Sequence, residues 1–188
     1  MLRIRKDGWV YECVDSSDNK SPRFVLGQVS EKTKKPLICL GVNPSTAIPD
    51  DLDKTLTRVK NISSKNEGEF DGWIMINLYP QRATNPKEID TEKNFKIDLH
   101  YQNLENIKQV FASYSDLKVW AAWGGPIRTR VFLKSKCLND IATLGKQYSV
   151  VWRMNGEATL LGDPRHPSRL KNGLPFNRFD IDEYLNDV

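Results

Sequence analysis

Residues 37–46 read LICLGVNPST, and this stretch decides the fold. Residues 37–42 are apolar without interruption, as expected of a strand that is covered on both faces of a parallel sheet. Residues 43–46 favour a turn, so the chain leaves the sheet there, and an amphipathic segment follows to about Asn61. A buried strand followed by a helix is the first half of a βαβ unit, which indicates an α/β protein.

The same pattern recurs along the chain. Three later segments are apolar and lead towards polar or glycine-rich residues: 73–76, 117–122 and 148–153. The apolar spacing of residues 95–114 predicts a long helix. Pro126 opens another helix where its missing N–H costs nothing, and residues 180–185 predict a short closing helix. We therefore expect a three-layer αβα sandwich with a mainly parallel central sheet.

The first 30 residues have a different pattern. Segments 2–5 and 9–14 alternate as strands do around Asp7-Gly8, a strong signal for a two-residue hairpin, and residues 23–29 predict a further strand. The sequence thus predicts one domain over residues 1–188. It would consist of an antiparallel edge (1–30), a core (36–170) and a C-terminal segment (171–188).

Composition excludes several classes of protein. The chain has 188 residues, of which 39% are hydrophobic and 28% charged, as in an ordinary globular protein. No stretch predicts a membrane span or a signal peptide, so we expect a cytoplasmic protein with no membrane partner and no obligate protein partner. Cys13, Cys39 and Cys137 form no CxxC pair, so reduced thiols are expected, and neither a metal nor a redox cofactor is predicted. The net charge of +4 permits binding to a polyanion without arguing for it.

Polar residues follow the predicted strands at the points where a ligand would bind. Parallel strands deliver their carboxyl ends to one edge of the sheet, and ligands of such sheets bind at that edge. Asn43, Asn77, Trp123-Gly124 and the loop around His166 all lie at or beyond a predicted strand end. They could form one pocket although they are far apart in the sequence.

The histidine loop carries the clearest functional signal. Residues 165–171 read RHPSRLK, in which one imidazole lies among several cations. This arrangement suits an anionic ligand better than a packed core, so we favour a functional role for His166. His100, in the long predicted helix, is expected to be structural. No serine–histidine–acid arrangement and no Cys/His metal spacing is visible.

The other motifs also have structural interpretations. Asn43 could belong to an ordinary strand-to-helix turn or could position a water molecule or a substrate amide. Asn77 could lock its loop or could read the edge of a nucleobase, since an amide both donates and accepts. Arg82 could be a surface cation, and Trp123 could be a core aromatic residue with Gly124 needed only for the turn.

Three aspartates precede the first predicted helix of the core. Asp50, Asp51 and Asp53 could bind a metal ion, but helix capping is the favoured interpretation. Carboxylates suit the start of a helix because the backbone N–H groups there are unpaired.

Taken in order, these motifs resemble those of the uracil-DNA glycosylase superfamily. The resemblance covers residues 37–170, with GVNP at 41–44, then Asn77, then Trp123-Gly124, then HPSRL at 166–170. More narrowly, the chain is similar to an uncharacterised, mainly bacterial group, the domain of unknown function 1643 family. That similarity rests on residues 43–46 with Asp50-Asp51, on residues 77–84 and on residues 122–124.

The glycosylase resemblance implies a role for several residues. Asn43 would orient water against the sugar carbon, and Asn77 would read the flipped base. His166 would stabilise the negative charge that develops on the base oxygen as the glycosidic bond breaks. Ser168 would contact a backbone phosphate, and Leu170 would fill the vacated stack. Further substrate contacts are expected at Gly41, Pro44, Ser45, Arg82, Trp123 and Gly124, and further phosphate contacts at Arg165, Arg169 and Lys171.

The chain also departs from the superfamily. Asn43 and Ser45 stand where the uracil-removing branch has an aspartate and a tyrosine. Because an amide cannot act as a general base, we expect slower hydrolysis, as in the asparagine-bearing mismatch branch. Arg169 replaces the proline before the leucine. By position alone, the aromatic residue that stacks on the base would be Phe70, Trp73 or Tyr79.

The resemblance therefore implies a DNA-repair hydrolase that cleaves the N-glycosidic bond of a modified or mismatched base. The expected partner is DNA or a nucleotide-like small molecule. The alternative is a non-catalytic module that binds a nucleotide or a nucleic acid in the same pocket.

Overall fold

A seven-stranded sheet runs through the computed structural model, which describes residues 2–18, 20–66, 68–171 and 173–187. The strands are β1 (Trp9–Cys13), β2 (Arg23–Gln28), β3 (Leu37–Gly41), β4 (Trp73–Asn77), β5 (Lys118–Ala121), β6 (Val151–Asn155) and β7 (Phe176–Arg178). The α-helices are α1 (Lys54–Lys65), α2 (Ile97–Ala112), α3 (Asn139–Gln147) and α4 (Ile181–Asn186). Short 3₁₀ segments occur at Pro86–Glu88, Gly125–Thr129 and Pro167–Arg169, and a π-helical segment at Leu133–Leu138 leads into α3.

The sheet is mixed, so the prediction of an α/β fold is confirmed but that of a mainly parallel sheet is not. Its order is β1-β2-β4-β3-β5-β6-β7. The central strands β4, β3, β5 and β6 are parallel to one another, whereas β2, β1 and β7 are antiparallel to their neighbours. Helical connections produce the parallel centre, as the sequence predicted. The outer strands return without a crossover helix, which makes them antiparallel.

Apolar residues on alternate positions of β3 divide the core into two halves. Ile38 and Leu40 pack in the cluster that includes residues of α2, α3 and α4, while Leu37 and Cys39 pack in the cluster that includes residues of α1. Helices thus cover both faces of the sheet, which explains the continuous apolar pattern of this strand. Each such aliphatic side chain contributes about 1.5–3 kcal/mol when fully buried.

The first predicted hairpin is wrong. Residues 2–5 form no strand; Asp7 and Gly8 form a tight turn in which Arg5 N–H donates to the carbonyl of Trp9. Leu2 packs into the core instead of pairing along the sheet. The antiparallel pair at this end is β1 with β2, joined by a longer loop.

The later elements differ from the sequence prediction mainly at their ends. β6 begins at Val151, three residues later than predicted, because Tyr148 caps α3 and Ser149 takes a turn conformation with φ of 54°. The strand β7 was not predicted, since its three residues are too few to show a pattern. Within the described residues, no helix is long and apolar enough to cross a membrane.

Candidate functional site

A cavity of about 700 Å³ opens at the carboxyl ends of the parallel strands. It lies where the order of the parallel strands reverses, between β3 and β5, which is the place at which open α/β sheets bind ligands. Its wall combines Gly41 at the end of β3, Asn43 just beyond it, Gly124 after β5 and His166 from the loop after β6. The structure therefore brings together three of the four predicted strand ends.

Asn43 presents an acceptor oxygen at the cavity. Its Nδ2 donates to the carbonyl of Pro44 at 3.0 Å and to the carbonyl of Ala83 at 2.7 Å. Both amide hydrogens are used, which fixes the orientation of the group and assigns Oδ1 as the atom that can accept from a ligand. This geometry suits the orientation of a water molecule, although an amide cannot remove its proton.

His166 presents a donor to the same cavity. Its Nδ1 lies 2.8 Å from Ser168 Oγ and accepts from the backbone N–H of Ser168 at 3.3 Å. Because Nδ1 accepts, the neutral ring carries its proton on Nε2. Burial lowers the pKa of His166, and Arg169 lowers it further, while Asp53 acts in the opposite direction. The imidazole is therefore neutral at pH 7, and its Nε2–H has no partner among the described residues.

Gly124 fixes the position of His166. Its backbone has φ of 62° and ψ of −171°, a region that is essentially restricted to glycine. A Cβ atom at Gly124 would lie 2.9 Å from the Cβ of His166 and 3.2 Å from its backbone nitrogen. The N–H of Gly124 also donates to the carbonyl of Pro164 at 2.9 Å. The turn after β5 therefore packs directly against the histidine loop.

We expect Gly124→Ala to destabilise the protein by about 1–3 kcal/mol because of backbone strain, and also to displace His166. Gly125→Ala is a matched control, since a Cβ there meets no described atom within 4 Å and its φ is ordinary. Chemical denaturation of both variants measures the difference. Equal stability of the two variants would show that the turn adapts to a side chain.

Trp123, predicted to contact substrate, has its indole in the core. The indole packs on Trp152, Phe179 and Tyr184, and its Nε1–H donates to Tyr184 Oη at 3.2 Å. This cluster lies on the face of the sheet covered by α2 to α4. Trp123 therefore reaches the cavity through its backbone. Its side chain is a core aromatic residue, which was the alternative to a substrate contact.

The buried carboxylate of Asp163 extends the hydrogen bonding between Trp123 and Tyr184. Tyr184 Oη donates to Asp163 Oδ1 at 2.7 Å, and Arg128 Nε donates to Asp163 Oδ2 at 2.8 Å. Asp163 is fully buried, whereas the Arg128 side chain is half exposed. The network ties α4 to the loop that precedes His166.

Asn77 lies behind the cavity wall. It is 1% exposed, and both polar atoms of its amide are buried without a partner among the described residues. A Cβ at Gly41 would lie 2.6 Å from Met75 Cε and 3.1 Å from Asn77 Oδ1, so the glycine leaves room for both side chains. An unpaired buried amide costs about 1–3 kcal/mol, which a ligand or a water molecule reaching it would offset.

Arg82 supports the cavity from outside. Its guanidinium donates to the carbonyls of Ser21, Ser45 and Ala47 and to Tyr11 Oη. These bonds hold the segment after Asn43 in place, and Arg82 does not line the cavity. Ser45 lines it, whereas Pro44 contributes the carbonyl that orients Asn43.

Some residues of the histidine loop lie at the cavity, whereas another packs in the core. Arg165, Ser168 and Arg169 are exposed residues at the cavity, while exposed Lys171 lines a neighbouring groove. Leu170 is only 6% exposed and packs in the core, so the structure does not bring it to the surface as a wedge.

A model of one protein family matches most of this chain. The family is described as a protein of unknown function, DUF1643, and the match covers residues 23–168. The chain belongs to the DUF1643 family. The matched region of this DUF1643 protein begins at Arg23 and ends at Ser168, and both residues line the cavity. No curated protein and no solved structure matches the chain.

The aromatic candidates for stacking on a base lie elsewhere in the DUF1643 fold. Phe70, Trp73 and Tyr79 are all buried in the core and do not line the cavity. Tyr79 Oη is also engaged by Asp90 Oδ2 at 2.8 Å. The apolar residues that line the cavity include Leu56 and Met75.

Three charged residues that line the cavity, Arg23, Asp53 and Lys54, were not predicted from the sequence as ligand contacts. Arg23 is the first residue of β2; because β2 is antiparallel to β4, its amino end lies at the edge where the parallel strands end. Asp53 lines the cavity and caps α1, with Oδ1 accepting from Leu56 N–H at 2.8 Å. The capping role predicted for this aspartate is confirmed, and the described residues contain no group of three or more metal-ligating side chains.

Two exposed leucines lie beside the cavity. Leu160 is 106% exposed and Leu161 is 67% exposed, immediately after cavity-lining Thr159. Their loop is held by Thr159 N–H to the carbonyl of Asp163 at 2.9 Å and by Arg128 Nη2 to the carbonyl of Leu161 at 2.7 Å. Two adjacent exposed leucines therefore lie on an anchored loop at the rim of the cavity.

Proposed function

We propose that this DUF1643 protein hydrolyses the N-glycosidic bond of a modified or mismatched base in DNA, with a sheet and a site of the uracil-DNA glycosylase kind. The observation that carries the proposal is the pairing of two complementary groups across one cavity. Asn43 offers a free acceptor oxygen, and His166 offers a free Nε2–H donor. N-glycosidic hydrolysis needs an acceptor to orient water and a donor to stabilise the departing base.

The chemistry follows from these two positions. The bond between C1′ of the sugar and the base nitrogen breaks, and the base leaves with the electron pair. The Nε2–H of His166 donates to the base oxygen on which negative charge develops. Water held by Asn43 Oδ1 adds to C1′, and the proton that it releases ends on the departed base. Without a general base at Asn43, the reaction depends on departure of the base more than on activation of the water.

The surface around the cavity supports binding to DNA. Lys54, Arg165 and Arg169 are exposed cations at its opening and can contact phosphates. We assign the wedge that fills the vacated stack to Leu160 and Leu161 in place of Leu170, because the pair is exposed beside the cavity.

A second candidate function is a non-catalytic nucleotide-binding module. Two observations favour it: the buried cation Arg23 in the cavity wall, and the aliphatic surroundings in which a stacking aromatic residue would be expected. A mononucleotide that is bound through its charged phosphate requires neither an aromatic residue stacked on the base nor a water molecule positioned for hydrolysis.

The deciding experiment is base excision from labelled oligonucleotides that contain uracil, hypoxanthine, thymine opposite guanine or an alkylated base, in single and double strands. We expect alkali-sensitive abasic sites for at least one base, and their loss in both Asn43→Ala and His166→Ala. Circular dichroism of each variant confirms folding. Intact strands throughout the panel, with tight nucleotide binding, would establish the binding module instead.

A further inference from the structure

The inner part of the cavity contains an arginine with an unusual environment. Arg23 lines the cavity and yet is only 2% exposed, whereas the cations at the opening are exposed. Among the residues that the structure describes, no carboxylate lies within 4.0 Å of its guanidinium. Burying a charge without a partner costs several kcal/mol, so such an arginine calls for an explanation.

A second arginine adjoins the first. Arg23 Nη1 donates to the carbonyl of Ala47 at 2.6 Å, and Arg82 Nη1 donates to the same oxygen at 3.1 Å. Two like charges therefore converge on one neutral acceptor. Arg82 has three further acceptors, but the Nε of Arg23 is buried with no partner among the described residues.

The charge balance of the cavity is positive. Its wall includes the cations Arg23, Lys54, Arg165 and Arg169, against the carboxylate of Asp53. Burial lowers the pKa of Arg23 to about 10, with Arg82 contributing and Asp53 opposing, so the guanidinium remains charged at neutral pH. The inner end of the cavity thus has a fixed positive charge and unused donors.

We propose that Arg23 forms an inner anion site, and that the ligand of this cavity carries a phosphate or a carboxylate group to it. A guanidinium with free donors binds such groups through paired hydrogen bonds. The inference rests on the second candidate function, the nucleotide-binding module, and it refines the ligand. The preferred small ligand is a nucleoside monophosphate, with the phosphate inside the cavity and not only at its opening.

The first test compares nucleoside 5′-monophosphates with the corresponding nucleosides by titration calorimetry of the full chain. We expect the monophosphates to bind at least about tenfold more tightly, which corresponds to about 1.4 kcal/mol. The preference should survive 1 M salt, where the Debye length is about 3 Å, because an ion pair between the buried Arg23 and the phosphate is screened little. Inorganic phosphate and malonate as competitors distinguish a phosphate site from a carboxylate site. Equal binding of nucleoside and monophosphate, or a preference that salt abolishes, would overturn the inner site.

The second test uses variants. Arg23→Met should reduce monophosphate affinity to that of the nucleoside and leave nucleoside affinity unchanged, and Arg23→Lys should restore part of the preference. Arg178→Met is the control, because Arg178 is exposed on β7 and does not line the cavity. A folded Arg23→Met protein that keeps the full preference contradicts the inference. If Arg23→Met does not fold, the salt series on the natural protein decides.

The outcomes also separate this inference from the proposed function. Base excision without any preference for monophosphates would support the glycosylase activity and eliminate the inner anion site. A preference for monophosphates without excision from any oligonucleotide would support the inner anion site and eliminate the glycosylase activity. Tight binding of the competitor malonate alone would assign the site to a carboxylate ligand.

Discussion

His166→Ala is expected to reduce the rate of base excision by about 100- to 1,000-fold, the usual effect of removing one donor that stabilises developing negative charge. The free Nε2–H of His166 is the donor, and its orientation depends on Nδ1 accepting from the backbone N–H of Ser168 at 3.3 Å. Affinity for DNA should change little, since the exposed cations remain. Single-turnover kinetics of base release measure the rate of excision separately from the affinity for DNA.

The pH dependence provides an independent readout for the same histidine. Protonation would turn Nδ1 into a donor, and it could then no longer accept from the backbone N–H of Ser168, so we expect the neutral ring to be the active form. Because burial lowers the pKa of His166 below its ordinary 6.5, activity should persist below pH 6.5 and fall as the pH passes through this lowered value. The acidic limb should be absent from the residual activity of His166→Ala. Wild-type rates in that variant would remove His166 from the mechanism.

Arg128→Met is expected to destabilise the protein by about 3 kcal/mol, at the lower end of the range for a buried ion pair that loses one partner. Asp163 is fully buried and, among the described residues, would retain only Tyr184 as a side-chain donor, at 2.7 Å. The half exposure of Arg128 places the effect at the lower end. For a chain of this length the melting temperature should fall by about 6–12 °C.

The control for this variant is Arg178→Met, an exposed arginine without a carboxylate partner among the described residues, which should change stability by less than about 0.5 kcal/mol. The double variant Arg128→Met with Asp163→Asn should recover part of the loss, because a neutral amide is cheaper to bury than a lone carboxylate. Calorimetry measures all three. No recovery in the double variant would show that Arg128 acts through Leu161 instead.

The centre of the fold and part of the candidate site could be predicted from the sequence because both follow from local patterns. The uninterrupted apolar residues at 37–42 indicated a strand covered on both faces, and the rule for parallel strands placed Asn43 and His166 at one edge. The conformation of Gly124 agrees with this arrangement, since its turn contacts the histidine loop.

The remaining features depend on relations between distant segments. Arg23 was read as part of an edge strand, and only the antiparallel pairing of β2 with β4 places it in the cavity. The side chains of Trp123 and Ala122 point to opposite faces of the sheet, so the tryptophan packs in the core although it adjoins the cavity. Leu170 fits the motif of an exposed wedge, but its neighbours bury it.

The cavity joins Arg23, near the start of the chain, to His166, near its end. During synthesis on the ribosome, a chain that stops short of the histidine loop has the strands of the central sheet but an incomplete cavity wall. A ligand that needs both residues can therefore recognise only the finished fold, and its binding adds stability to the native state alone.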